Sequence, residues 1–519
     1  MTATIPDGQP SRRFMNYVRP PSRADNSKSA PLFPMEPQTR RLRLGIDTTT
    51  VPSPPAGLLS SFIGREEIEF RLLVPRGSEP PAAWVDVLPN PLIHQIGYTT
   101  VDEAEPFLDT VQFGVRTETE NSKAGARVSF FPVLQQLDEQ FAPSWASPLE
   151  LGQRHHAAAY AAAAAHLGID AIVSNSETTG RSDVADNDIV ISASPDKAVG
   201  LIGHYFRVTN NPVVAIRSGT LANGSGTWKQ TTSTGTLTDL YERGIATRLA
   251  MFECFEITAG LKSDGETLTA LRSIRVRIMR AARALDSLLA ALSNPVTNRS
   301  KDLVERAGEA FDRQLLYLAA AFDIYGRLFL RLIDPTRDPR KFRFSLDATG
   351  FVTDHLEKHY NADLLIELKR LHVYATVCKE LRNHIHDGIL PVDQHPGRGY
   401  GNSLSIALRL DSIPKLLPGA AGSKLAQEHY DQLGVWRTQP INLSDTPSTV
   451  ADLATVAVTL MSAGISLVNE FSALVMLHKP LAAAAPSPLL GCVHGSVDEE
   501  SSAPEDEELH RLLFGWPTI

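Results

Sequence analysis

The sequence predicts a mixed-sheet α/β domain in the N-terminal half and an all-α helical bundle in the C-terminal half. Between about 41 and 217, short apolar runs of strand length alternate with helix-length segments, the pattern of a sheet with helices packed on it. Beyond about 237 the apolar residues recur at helical spacing over long stretches. The segment 218–236 between them is dense in Ser, Thr and Gly and reads as a linker. A chain of 519 residues also exceeds what one ordinary core serves, which agrees with two units or more.

Taken in order, residues 1–40 are rich in Pro, Ser and Arg without apolar periodicity and are expected to form a disordered, mildly basic arm. Arg41 to Ile46 alternates as a strand and is stopped by Pro52, Pro54 and Pro55. Ile68 to Val74 and Ala126 to Phe131 are further strands. Pro148 to Leu167 is an alanine-rich helix, followed by short strands at Asp170–Ser174 and Asp188–Ser192. Pro195 then opens a helix to Val208, with Ser194 placed to cap it. Together these give the domain 41–217, a Rossmann-like layer.

The helical domain, 237–481, is expected to hold helices at 237–262, 266–292, 300–333, 353–386 and 448–478. Within 387–447, rich in Gly and Pro, a short strand pair is expected around Leu404 to Leu410. Residues 482–519 form a flexible tail with an acidic run, Asp498 to Glu508, and a short apolar terminus, Leu509 to Trp516.

A net charge of −9 argues against a surface built to coat duplex DNA, while leaving room for a local basic patch. The three cysteines, Cys254, Cys378 and Cys492, are far apart and form no CxxC pair, so a reducing cytoplasm is the expected compartment. Met1 to Pro10 lacks the apolar core of a signal peptide. Leu453 to Asn469 is uncharged but falls short of the ~20 apolar residues that span a bilayer, so it is expected as a buried helix and no membrane partner is expected. No Gly-rich phosphate loop and no Gly-x-Ser-x-Gly elbow occurs, so no cofactor is expected.

One segment carries a chemistry. Leu381-Arg382-Asn383-His384-Ile385-His386 ends the helix expected over 353–386 and puts Arg382 and His386 four apart, on one face. A guanidinium can hold a phosphate by paired hydrogen bonds and stabilise a phosphorane-like transition state. An imidazole that titrates near neutrality can move the proton of a 2′-hydroxyl. Asn383 can bind a phosphate oxygen. The segment resembles the motif of the HEPN superfamily, helical bundles that carry an Arg followed by a His, often beginning Arg-Asn. The resemblance implies a metal-independent endoribonuclease of toxin or phage-defence type, acting on RNA as a homodimer in which two motifs form one site. Only three residues separate Arg382 from His386, fewer than the usual motif has. The same cations also suit a plain helix C-terminus, where they complement the last carbonyls, with Gly388 as the stop.

Arg272, Arg275, Arg280 and Arg283 share a broad arc of the helix 266–292, and Arg340, Lys341 and Arg343 interleave with Phe342 and Phe344. Such surfaces hold phosphates while rings stack on unpaired bases, although each alone also fits a solvated face or loop. His355 and His359 flank Glu357, which is one position off for a zinc-protease helix, and adjacent His155 and His156 receive no metal assignment. In the α/β half, Leu44-Gly45-Ile46-Asp47 and Gly168 to Ser176 resemble two strands of PIN-like nucleases. That likeness implies a metal-binding Asp where Ser176 stands, so a PIN-like site here is expected to be dead.

The leading expectation is an RNA-binding protein and candidate metal-independent endoribonuclease with Arg382, Asn383 and His386 at its site. The alternative is a non-catalytic interaction or sensor protein built from degenerate nuclease-like folds, recruiting a protein partner through its C-terminal tail. A third reading is a metal-dependent nuclease working from Asp47 and Asp170.

Overall fold

The computed structural model describes residues 40–88, 91–98, 112–119, 122–129, 151–176, 190, 192–210, 214–220, 227–233, 236–293, 301–338, 344–396, 404–417, 419–420, 425–438, 446–477 and 510–516. Apart from Arg40, the expected N-terminal arm lies outside them, as do Arg340, Lys341 and Arg343.

The N-terminal half is built on a seven-stranded sheet. Its strands are β1 (Leu42–Asp47), β2 (Ile68–Pro75), β3 (Leu92–Tyr98), β4 (Gln112–Thr119), β5 (Ser122–Ser129), β6 (Ala171–Val173) and β7 (Ser192–Ala193). They lie in the order β5-β4-β3-β2-β1-β6-β7. The five strands from β3 to β7 across this order pair in parallel, and β4 and β5 extend the edge antiparallel. The chain runs outward from β1 through β2 and β3, then returns to the other side of β1 as β6. That reversal opens a crevice at the carboxyl ends of β1 and β6, where sheets of this kind place ligands.

Alternation along β1 sends its side chains to two cores. Leu42, Leu44 and Ile46 join the main core with helix α2 (Pro195–Val208). The opposite face packs Leu73 and Ile172 beneath helix α1 (Leu151–His166), whose buried alanines let it lie close to the strands. Ser194 has the extended backbone of an N-cap, but its side chain makes no capping bond.

The C-terminal half contains α3 (Leu237–Ala246), α4 (Ala250–Leu261), α5 (Gly265–Leu292), α6 (Lys301–Ile333), α7 (Ile366–Asp387) and α8 (Leu453–Met476). Asp264 and Asp452 cap α5 and α8 by accepting from the backbone N–H three residues on. Among the described residues α8 is the one helix long and apolar enough to cross a membrane, and 78% of its most apolar window is buried inside the protein. Polar groups tie it inward: Gln314 donates to the Ala457 carbonyl at 2.7 Å, and the Tyr325 and Ser472 hydroxyls meet at 2.6 Å.

Four expectations need correction. The C-terminal half is not all-α, because β10 (Val392–Pro396), β11 (Leu404–Arg409), β12 (Val435–Arg437) and β13 (Thr449–Asp452) form an antiparallel sheet in the order β10-β11-β13-β12. β11 falls on the strand expected around Leu404 to Leu410; its Ile406 and Leu408 enter the main core while Ala407 packs with Trp436 on the other face. The expected linker carries a hairpin, β8 (Val214–Thr220) with β9 (Thr227–Ser233), whose Thr and Ser residues suit a strand as well as a loop. The helix expected over 353–386 begins only at Ile366, preceded by short irregular turns from Phe351 to Leu365. The tail expected to be flexible returns at 510–516, where Leu513, Phe514 and Trp516 are buried.

One network joins the two halves. Asp286 of α5, 2% exposed, accepts from Arg207 of α2 at 2.7 and 3.1 Å and from the Tyr241 hydroxyl at 2.5 Å, with the His204 ring at 3.1 Å.

Candidate functional site

Arg382, Asn383 and His386 occupy the last turns of α7. The helix ends at Gly388, whose N–H reaches the His384 carbonyl at 2.9 Å. Its φ of 177° is extended backbone open to any residue, so the stop does not use glycine's left-handed freedom. Arg382 and His386 lie one turn apart on a common face. His386 is exposed, and the Arg382 side chain is 23% exposed with its guanidinium 3.9 Å from Asp323 of α6. An ion pair at that distance is loose and contributes little. Asn383 is half-buried beside it. Lys379, one turn earlier, continues the basic face.

Beneath this face lies Asp347, 1% exposed. One oxygen accepts from the Ser345 hydroxyl at 2.6 Å, and the other has no partner. Burial, with the charge of Asp323 adding, pushes its carboxyl up to about 6 against the opposing Ser345 hydrogen bond and the nearby Lys379 and Arg382. The folded state therefore holds this proton more tightly than the unfolded chain, so the group costs stability once pH rises from about 4 through about 6. We expect Asp347→Asn to raise the unfolding free energy above pH 7 by about 1–3 kcal/mol and to have little effect near pH 4. Melting curves across that range check it. Cys378 nearby is fully buried, which pushes its thiol up and makes it a poor nucleophile.

The arginines of α5 divide. Arg275 is held between Glu253 (3.0 Å) and Glu256, and Arg283 donates to the Thr238 hydroxyl at 2.7 Å and lies over the Tyr241 ring, so both serve packing. Arg272 and Arg280 keep exposed guanidinium groups, the latter 5.8 Å from the Tyr317 ring. His355 and His359 fall on successive irregular turns, His355 packs on Phe344, and Glu357 pairs with Lys369 at 2.8 Å. No metal-binding constellation forms there.

A second polar cluster sits at the crevice of the parallel sheet. Asp47, at the carboxyl end of β1, is 2% exposed. Its Oδ2 meets His156 Nε2 of α1 at 3.1 Å, the Ser174 hydroxyl at 2.9 Å and the Thr50 hydroxyl at 3.0 Å, and its Oδ1 accepts from the Thr49 N–H at 3.1 Å. Burial pushes the carboxyl up, but the His156 hydrogen bond and charge and the two hydroxyls outweigh it, so its pKa lies below the ordinary value. Pairing of Asp47 with Leu73, and of Leu73 with His94, puts His94 in the same row two strands away. His94 is buried, neither ring nitrogen has a partner, and burial beside Arg71 lowers its pKa to about 3.

Asp170 does not join this cluster. It lies opposite Arg43 at the amino end of β6 and is bound by Arg40 at 2.7 and 2.5 Å and by the Arg43 N–H at 2.9 Å. Asp47 stands four residues further along β1, roughly 13 Å away at strand rise, which overturns the expectation that the two share a metal. Among the described residues no group of three or more His, Cys, Asp or Glu side chains could hold a metal ion. The sequence reading missed His156, Ser174 and Thr50 as partners of Asp47. The usable signal was the pairing of a strand-end Asp with the His on the alanine-rich helix.

Removing the carboxylate leaves three polar side chains in a nearly closed space. We expect Asp47→Ala to cost about 1–3 kcal/mol, read as a lower denaturant midpoint at unchanged slope.

Comparison with known proteins gives no match: no family model, no curated protein and no solved structure.

Proposed function

We propose that the protein binds RNA and cleaves it without a metal ion at the end of α7, acting in the cytoplasm. The observation that carries this reading is the presentation of Arg382 and His386 on one face, with His386 exposed and the Arg382 guanidinium in a loose ion pair with Asp323. A phosphate bound there displaces Asp323 at little cost, because the pair at 3.9 Å is weak. His386 takes the proton of the 2′-hydroxyl as that oxygen attacks phosphorus, and Arg382 stabilises the charge on the phosphorane. The 5′-oxygen leaves with a proton from a second imidazole, supplied by another copy in the HEPN-like arrangement. The products are a 2′,3′-cyclic phosphate and a 5′-hydroxyl. Asn383 binds a non-bridging oxygen, and exposed Arg272 and Arg280 are placed to hold flanking RNA.

In this reading the helical half is a HEPN-like unit. The α/β half is a PIN-like layer whose carboxylate at the crevice, Asp47, is engaged by the protein's own donors. A second reading, a non-catalytic interaction protein, is favoured by the two carboxylates Asp323 and Asp347 beside Arg382, which oppose an incoming phosphate.

The deciding experiment incubates purified full-length protein with total RNA in EDTA and assays the ends formed. Cleavage that persists in EDTA and leaves 2′,3′-cyclic phosphate supports the nuclease. No cleavage at any protein concentration supports the interaction protein, and cleavage stopped by EDTA sinks both.

A further inference from the structure

Three of the glycines inside helices, where each costs about 1 kcal/mol relative to alanine, share one neighbour: Gly200 and Gly203 in α2, and Gly244 in α3. None has positive φ, so conformational freedom is not the reason. Space is. A β-carbon at Gly203 would overlap the Leu513 backbone, one at Gly244 would enter the Phe514 ring, and one at Gly200 would sit 2.9 Å from Gly515 Cα. All three clearances serve the same short stretch, residues 510–516.

Charged groups converge on that stretch as well. Arg207 donates to the Leu513 carbonyl at 2.6 Å, and its guanidinium lies 4.3 Å from the Phe514 ring centroid. Arg248 donates to the Trp516 carbonyl. Tyr241 and Trp516 both meet Phe514 edge-on, at 5.7 and 4.7 Å. Gly515 has φ 62°, the left-handed turn that lets Trp516 fold back beside Phe514. Residues 477–509 separate this stretch from the end of α8.

We propose that the groove between α2 and α3 is a peptide-recognition site and that residues 510–516 are a tethered ligand occupying it in cis. The ligand class is a short peptide with a Leu-Phe-Gly-Trp core, read by main-chain carbonyls on Arg207 and Arg248 and by rings over glycine-cleared helix surface. The tether replaces a bimolecular encounter with an intramolecular one at an effective concentration on the order of millimolar, so the groove is occupied at any protein concentration.

The test uses the full-length chain and a fluorescent synthetic peptide spanning 509–519. Phe514→Ala weakens the internal ligand and leaves the groove intact. This variant is expected to bind the peptide at least about tenfold more tightly than wild type, whose own segment competes. Adding Gly244→Ala, which favours helix α3 but fills the ring's place, is expected to abolish that binding while the circular dichroism stays native. A folded Phe514→Ala chain that fails to bind the peptide overturns the proposal. Should Phe514→Ala fail to fold, hydrogen exchange on wild type decides. Amides of 511–516 exchanging faster than those of α2 and α3 support a detachable ligand, and equal protection overturns it. Dimers formed by exchange of the segment between copies overturn the assignment in cis.

Discussion

Asp286→Ala is expected to lower the unfolding free energy by about 3–5 kcal/mol, a large share of the stability of an ordinary domain. Arg207 is fully buried, and Asp286 is the anion that balances it. Without the carboxylate, the guanidinium stays in the interior uncompensated, and the Tyr241 hydroxyl and His204 ring lose their shared partner. Denaturant unfolding measures the effect. An Asn at 286 keeps the shape but turns an amide donor toward the guanidinium, so it is expected to behave nearly as badly. An unfolding free energy within about 1 kcal/mol of wild type for Asp286→Ala would show that water enters and replaces the carboxylate.

The same pair sets an acid limit. Burial pushes the Asp286 carboxyl up, but the Arg207 charge and the His204 and Arg207 hydrogen bonds dominate and hold it well below the usual range. A depressed folded-state value contributes stability that is present above the unfolded value near 4 and is lost as pH falls below it. Wild type is therefore expected to lose stability steeply below about pH 4, and Asp286→Asn to flatten that limb.

His386→Ala is expected to reduce RNA cleavage by at least about 100-fold, the low end of what a general base contributes. Because His386 is exposed, the melting temperature should stay within the small range of surface substitutions. Arg382→Ala is expected to fall as far in rate, since the guanidinium meets the additional negative charge that develops in the transition state. Its loose tie to Asp323 makes the stability cost about 0–1 kcal/mol. Asp323→Asn separates the two readings from the other side. If Asp323 restrains Arg382 from phosphate, its neutralisation should increase RNA affinity. A pH–rate profile that keeps its neutral limb in His386→Ala would remove this histidine from the chemistry.

Much of the architecture was legible because local pattern and tertiary demand agreed. β1, β2, α1, α5 and α6 stand within a few residues of where periodicity puts them. The misses have physical causes. β12 and β13 are 3 and 4 residues long, too short to show a period, and β8 and β9 are threonine-rich stretches that pattern alone cannot tell from a loop. The candidate residues on α7, Arg382 and His386, were visible because they are four apart on one helix. The cluster at Asp47 was not, because Ser174 is brought beside it by the pairing of β1 with β6, and His156 by the packing of α1 on the sheet.

The glycine-lined groove also bears on the order of assembly during synthesis. Gly203 and Leu513 are about 300 residues apart, so at ~5–20 residues per second α2 emerges some 15–60 s before the stretch that covers it. Once Asp286 has followed, 79 residues after Arg207, the guanidinium can meet that carboxylate but not yet the Leu513 carbonyl, and the furrow that the stretch later covers stays open on the nascent chain.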